Sequence, residues 1–451
     1  MSGFAALSTE SLAEWSSSLE SDVNTQLGAA ALRNFDADET LIDRATLLKN
    51  SINVFNNKIE LEGAPITSQK ASGRCWLFAA TNVLRVKIMK KYNLKEFQFS
   101  QSFLFFYDKL EKANYFLEQI LNSVDEDVES RLVQHLLTDP ICDGGQYDMF
   151  INIVEKYGLI PIDSFPDVFS STASRKLNFM ITTKLREYAE ILREAVQNGQ
   201  SVDELKLSMQ KETHRLLVMF LGNPPSPNDQ LTWEFVDKDS KYQSISFTPT
   251  TFYKEILGED LSKCVSLLND PRNPYDQVIN IDILGNMVNG KTVSYLNIDS
   301  KDLANYAIKR IQNNEAVFFG THTPIYMDKK RGIMDQALFN YKLINYETKQ
   351  NKAKRIQYHQ SLMTHAMVLT AVHVNEQGLP VRWRVENSWG KDSGKDGYYL
   401  MDHSYFEEYV YQIVVDSSEL SKEHSDILND TSRTTTTLPP WDPMGALATF
   451  N

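Results

Sequence analysis

Apolar positions fall at helical spacing over the first half of this chain and at strand spacing toward its end. The first ~65 residues carry helical patterning, with capping signals at Ser8-Thr9-Glu10 and Asp38-Glu39. Residues 75–92 predict a helix with Leu77, Phe78, Val83, Leu84 and Ile88 near one face, and Lys87, Lys90 and Lys91 suit its C-terminal end. A second helix opens at Ser100 and carries Phe103, Leu104, Tyr107, Leu110, Tyr115, Phe116 and Ile120. A third follows Asp143-Gly144-Gly145 and stops at Gly158, read as a left-handed cap with Pro161 beyond it. Residues 171–221 are helical and charged, and Asn223-Pro224-Pro225-Ser226-Pro227 ends that block. Residues 232–300 mix short strand-like pieces with turns. One further helix is predicted over 303–312. Apolar runs at 316–320, 367–372, 381–385 and 397–400 then read as strands of a barrel or half-barrel. A threonine run at 434–437 and Pro439-Pro440 read as a linker to a final arm, 441–451.

The chain has 451 residues, enough for a large core and two or three subdomains. No apolar run approaches the ~20 residues of a membrane span. Residues 1–20 lack a basic start and an apolar core, so they do not read as a secretory signal. Three cysteines argue against a disulfide framework, and Cys142 and Cys264 are expected to be buried reduced thiols. A reducing cytoplasm is the expected compartment. The net charge of −13 disfavours general attraction to nucleic acid or to anionic membrane. Local basic clusters remain at Lys329-Lys330-Arg331 and at Lys349, Lys352, Lys354 and Arg355, where solvated loop charge is the plainer reading.

Candidate chemistry gathers around Cys75. The polar loop Gln69-Lys70-Ala71-Ser72-Gly73-Arg74 delivers this thiol to a helix start, where the dipole favours the nucleophilic thiolate. Lys70 and Arg74 add positive potential. A loop of this length lets the Gln69 amide fold back beside the Cys75 backbone N–H, two donors suited to an oxyanion. His365 opens an apolar strand and would face a cleft as proton acceptor from Cys75. Asn387 would fix the tautomer of His365, and Trp389 would cover that bond. Gly144 and Gly145 offer a flat backbone edge for an extended peptide. Singly, each residue has a plainer reading: a core cysteine, a solvent-facing glutamine, a buried histidine, a core aromatic, a turn. His359 and His373 are read in that plainer way. The chain has no HExxH, CxxC, phosphate-binding loop or dinucleotide fingerprint, so neither metal nor cofactor is expected.

As an ordered set the residues say more. Gln69, Cys75-Trp76, Gly144-Gly145, His365-Ala366 and Asn387-Ser388-Trp389-Gly390, with Gly394 and Gly397-Tyr398 behind, resemble the papain superfamily. Further stretches narrow the resemblance to the bleomycin hydrolase family, the cytosolic papain-like aminopeptidases. They are Ser72-Gly73-Arg74-Cys75-Trp76, Phe99-Ser100-Gln101-Ser102, Asp143-Gly144-Gly145-Gln146, Ser361-Leu362-Met363-Thr364-His365-Ala366-Met367, Arg384-Val385-Glu386-Asn387-Ser388-Trp389-Gly390 and Trp441-Asp442-Pro443-Met444-Gly445-Ala446-Leu447-Ala448. The match runs essentially end to end. Papain's disulfides are missing, and 290 positions separate Cys75 from His365, far more than in a minimal papain-like enzyme.

The resemblance implies an α+β, papain-like two-lobed cysteine protease fold with a large helical insertion and a C-terminal arm. It divides the chain into an N-terminal helical extension (1–68), a left helical lobe with Cys75 (69–170), a helical and mixed insertion (171–300), a right β-barrel lobe with His365 and Asn387 (301–432), and a linker and arm (433–451). It implies catalytic Cys75, His365 and Asn387, oxyanion donor Gln69, and substrate contacts from Gly144, Gly145, Trp389 and Ala448. Its substrates would be peptides with a free N-terminus, with hydrolysis of the bleomycin amide and of homocysteine thiolactone alongside. The family forms homohexameric barrels with sites on an inner channel, and some members bind nucleic acid, the weaker expectation for so acidic a chain. In the family the arm's terminal carboxylate meets the substrate α-amino group. Family chains end just past the match to Ala448, so self-trimming of Thr449-Phe450-Asn451 is expected. Two other readings stand beside the aminopeptidase: a hexameric nucleic-acid-binding or chaperone-like cage with incidental peptidase activity, and an endopeptidase.

Overall fold

The structure is a computed structural model that describes residues 6–430, 432 and 435–448. Its axis is the helix Cys75–Lys91, which packs on the strands His365–Val374 and Val317–Thr321 and against the helices Gln101–Asn122 and Tyr147–Tyr157. Every residue from Cys75 through Arg85 is buried. The one-sided apolar face expected for this helix therefore gives way to burial all round, because sheet and helices sandwich it. Ser100 caps the next helix, accepting from the Phe103 N–H. The helices Arg175–Gln197 and Asp203–Leu221 pack on that same helix, and Gly222 ends the pair.

Twelve strands among the described residues form one sheet. Its path is open, from Thr436–Leu438 through Gln277–Ile281, Ser294–Asn297, Cys264–Leu268, Val410–Asp416, Val317–Thr321, His365–Val374, Pro380–Glu386, Tyr398–Asp402 and Ile333–Met334 to Met327–Asp328. Asn57–Lys58 pairs with His365–Val374 off this path. One face packs against the axial helix in the larger core. The other face is covered by the helices Ser300–Gln312 and His403–Tyr409 in a second core with Trp383, Tyr405 and Phe406. The residues 232–300 thus contribute three strands to this sheet as well as a separate hairpin, Leu231–Val236 with Tyr242–Phe247.

Three local differences from the sequence reading have clear causes. Gly158 has φ 80° and ψ −162°, outside the left-handed helical region. Gly158 still ends the helix, its N–H donating to Val154 O at 2.8 Å, but a Cβ there would stand 2.1 Å from the Pro249 carbonyl oxygen, so close backbone approach together with the positive φ requires this glycine. Asp36, not Asp38, caps the helix Ala37–Leu41. The helix His403–Tyr409 and the strand Val410–Asp416 follow the strand Tyr398–Asp402 without a glycine or proline between them. Asp402 alone marks the switch, accepting from the Ser404 N–H. No helix among the described residues is long and apolar enough to cross a membrane.

Candidate active site

The loop that leads to Cys75 is tied down at both ends. The Gln69 N–H donates to Ser388 O at 2.8 Å, and the Gly390 N–H donates to Thr67 O at 3.0 Å. The Gly73 N–H donates to Asp143 Oδ2 at 3.0 Å, and Asn178 Nδ2 donates to Asp143 Oδ1 at 2.7 Å. Lys109 Nζ closes the set at 2.7 Å from the same carboxylate. Burial works against the Asp143 charge, yet Lys109 and these donors hold its carboxyl well below the usual range. Asp143 thus joins the loop before Cys75 to the segment that carries Gly144 and Gly145. A Cβ on Gly145 would lie 2.6 Å from the Trp76 ring, whose Nε1 donates to Asp143 O at 2.8 Å.

Cys75 opens its helix without a side-chain cap, and the nearby backbone N–H groups of Ala366, Trp76 and Cys75 itself favour its thiolate. The Ala366 contact places the thiol beside the first residues of the strand that His365 opens. His365 Nε2 meets Asn387 Oδ1 at 2.9 Å, and the Ser388 N–H donates to the same oxygen at 2.8 Å. Nδ1 is the ring nitrogen that Asn387 leaves unengaged. The strands of His365 and Asn387 are adjacent and antiparallel, with Val368 opposite Glu386. The Trp389 ring lies 4.9 Å from the imidazole at 33°, and Lys329 Nζ stands 4.6 Å over the indole.

Gln69 is buried. Its Nε2 donates to Ser72 O at 2.6 Å, and its Oε1 accepts from Ser388 Oγ at 2.8 Å. One amide N–H is therefore spent on the loop and the other is left for a ligand. Gln69, Cys75, His365, Asn387 and Trp389 thus form one connected cluster through Ser388 and Ala366.

Burial works against the expected charge on Cys75 and on His365. Burial pushes the Cys75 thiol up to about 11, against the backbone donors that favour the thiolate. Burial likewise pulls His365 down to about 4, with Lys329 adding to the effect and Asn387 opposing it. Desolvation thus opposes the helix end at Cys75 and disfavours a charged imidazole at His365. Arg74 has a charge partner of its own. It is wholly buried, paired with Asp167 at 2.9 Å and stacked near Phe78 and Phe105.

Ala448 stands on the other side of the Asp143 segment, where its carbonyl oxygen accepts from the Cys142 thiol. Thr449-Phe450-Asn451 lies outside the described residues. The basic clusters are largely neutralised: Arg331 pairs with Asp328 and Glu39, Lys330 with Glu39, and Arg355 with Glu408. Lys352 is buried and donates to Asn269 Oδ1, Glu407 O and Val410 O, and burial lowers it to about 7. Among the described residues no group of three or more His, Cys, Asp or Glu side chains is arranged to hold a metal ion.

The sequence reading missed one network. Arg85 Nη2 lies 2.5 Å from Glu386 Oε1, deep in the core, and Asn82 Nδ2 donates to the same oxygen at 2.9 Å. This ties the third turn of the Cys75 helix to the residue before Asn387. The available signal was two polar residues, Asn82 and Arg85, three apart in the mainly apolar part of the helix before its basic end.

Known proteins resemble this chain over nearly its whole length. The profile of the Peptidase C1-like family matches residues 6–445. "Cysteine proteinase 1, mitochondrial" of Saccharomyces cerevisiae is 54% identical over 441 residues, which cover 96% of this chain and 91% of that one. Bleomycin hydrolase of Gallus gallus is 41% identical over 456 residues, covering 98% of this chain and 99% of that one. The crystal structure of PepW from Lactobacillus rhamnosis matches with a TM-score of 0.94 at 35% identity, over 98% of this chain and 99% of that one.

Proposed function

The chain belongs to the peptidase C1-like family and is a cysteine peptidase of the bleomycin hydrolase type with a papain-like α+β fold, and from that premise we propose that it is an aminopeptidase working through Cys75, His365 and Asn387. The line of contacts from the Cys75 thiol through Ala366 and His365 to Asn387 carries this reading. In the proposed reaction the sulfur attacks the scissile carbonyl while His365 Nδ1 takes the thiol proton. The imidazolium then protonates the leaving amine, and water releases the acyl group with His365 as base. Because burial disfavours charge on both groups, the proton is proposed to move as the carbon–sulfur bond forms. The second Gln69 N–H and the Cys75 backbone N–H meet the oxyanion. Gly144 and Gly145 line the extended substrate, and Trp389 shields the His365–Asn387 bond from water.

Ala448 is the proposed limit of the cleft, selecting substrates with a free α-amino group. Bleomycin's amide and homocysteine thiolactone are proposed as further substrates by virtue of the relatives. Assembly into a homohexamer is proposed on the same ground. Support comes from Leu12, Trp15, Leu19, Val23 and Leu27, all exposed on the first two helices. A cytoplasmic, reducing setting fits the three free thiols, although the yeast relative is named mitochondrial. The nucleic-acid-binding cage draws on the two basic clusters, and their ion pairs and the burial of Lys352 weigh against it.

A panel of free and N-acetylated aminoacyl fluorogenic amides, assayed with wild type and Cys75→Ala, tests the proposal. Cys75→Ala should lose roughly 10⁴-fold or more in kcat, and acetylation should abolish turnover. Equal cleavage of blocked and free substrates would instead support an endopeptidase. Salt-dependent nucleic-acid binding without any peptidase activity in wild type would favour the cage.

A further inference from the structure

Two cations hold the C-terminal arm among the described residues: Arg131 lies 3.9 Å over the Trp441 ring, and Arg272 makes the ion pair. Arg272 Nη1 and Nη2 donate to Asp442 Oδ2 and Oδ1 at 3.0 and 2.8 Å, a bidentate pair. The guanidinium is pre-set for this. Its Nε and Nη2 also donate to Asp270 Oδ1 and Oδ2 at 2.9 and 2.8 Å. Asp270 is wholly buried, and its N–H donates to Asn297 Oδ1 at 2.8 Å. One cation therefore stands between two carboxylates, one from the body of the protein and one from the arm.

Asp442 in turn sets the final turn, Pro443–Ala448. Its Oδ1 accepts from the Met444 N–H at 2.9 Å, and its carbonyl accepts from the Gly445 N–H at 2.9 Å. That turn then spans both sides of the site. Pro443 O accepts from the Met363 N–H at 3.2 Å, two residues before His365. Met444 O accepts from Gln146 Nε2 at 3.3 Å, one residue after Gly145. The direction in which the turn leaves Asp442 decides where Ala448 ends.

We propose that Arg272 is a specificity-determining positioning residue: it latches the arm through Asp442, fixes the depth at which Ala448 stands, and so excludes substrates with blocked or extended N-termini. This rests on the aminopeptidase reading above. Without the guanidinium, Asp270 keeps the Asn273 amide and the backbone N–H of residue 272, but the two carboxylates lose the cation between them, and their repulsion drives the arm from its seat.

Two readouts test the latch. The first is the ratio of kcat/KM for a free aminoacyl amide to that for its N-acetylated form. In Arg272→Gln this ratio should fall at least tenfold, mainly by gain on the acetylated substrate, with a smaller fall in Arg272→Lys, which keeps the charge but loses the fork. The second is hydrogen exchange at the Met444 and Gly445 amides in a Cys75→Ala background, which needs no activity. Exchange there should quicken at least tenfold in Arg272→Gln while the Cys75 helix stays protected. Asp442→Asn removes the same ion pair and should act in the same direction, so the test survives if Arg272→Gln fails to fold. A folded variant whose ratio is unchanged overturns the latch, whether or not its arm exchanges faster. Wild type that hydrolyses the acetylated amide as readily as the free one overturns the aminopeptidase reading itself, whereas a wild-type preference that survives both substitutions overturns only the latch.

Discussion

His365 couples the chemistry of the site to the stability of the chain. Burial holds its ring at about 4 against an ordinary 6.5. A depressed folded-state pKa leaves stability intact above the unfolded value and removes it as pH falls through the folded one. Between pH 6.5 and pH 4 this residue should therefore cost the fold about 3 kcal/mol. Unfolding midpoints of wild type and His365→Gln across that window read the effect, and the variant should lack this part of the acid sensitivity. Gly145 is a second residue with no latitude. A Cβ there would press on the Trp76 ring at 2.6 Å, and that ring is held by its bond to Asp143 O. Gly145→Ala should cost about 1–3 kcal/mol in denaturant unfolding. Its peptidase loss should exceed what the unfolded fraction explains, because Trp76 adjoins Cys75.

At the scale of elements, the site is a junction between the start of one helix and the facing ends of two strands. The Arg85–Glu386 pair fixes that junction from within, since both side chains are nearly excluded from solvent. Burial raises the Glu386 carboxyl, and Arg85 opposes that shift. Arg85→Met would leave Glu386 as a buried carboxylate without its cation, a loss of about 3–5 kcal/mol by chemical denaturation. Because Glu386 precedes Asn387, kcat should fall in the variant even under conditions where it remains folded. Much at this scale was legible along the chain. The helices opened by Cys75 and capped by Ser100 follow from apolar spacing and caps, as do the two helices between 171 and 221. The strand after His403–Tyr409 was not, because an aromatic and aliphatic run broken only by Gln412 carries no period that separates strand from helix. Burial of the Cys75 helix on every side was hidden for a related reason: a one-helix pattern does not say how many neighbours the helix will have.

At the scale of the whole molecule, two expected outcomes concern assembly and the chain end. Light scattering should return the mass of six chains. A monomer at assay concentration would remove the proposed hexamer while leaving the site intact. Mass spectrometry should find Thr449-Phe450-Asn451 absent from active protein and present in Cys75→Ser, as a tail removed by the enzyme itself requires. An intact tail on fully active protein would contradict it.

The order of residue types along the chain was enough to identify the family, because a cysteine at a helix start, a histidine opening an apolar strand and an asparagine ending the next are local patterns. It also marked Gly144-Gly145 and the arm as segments with a purpose. Tertiary structure alone decided the electrostatics. Arg74, four places in from Lys70 in a polar loop, turned out to be spent on Asp167, and burial disfavours charge on Cys75 and on His365. The links from Arg85 to Glu386 and from Arg272 to Asp442 join residues 301 and 170 positions apart. Ionisation and ion pairing depend on how much water is excluded and on which partner the fold brings within about 3 Å. Neither quantity is written in any one stretch of the chain.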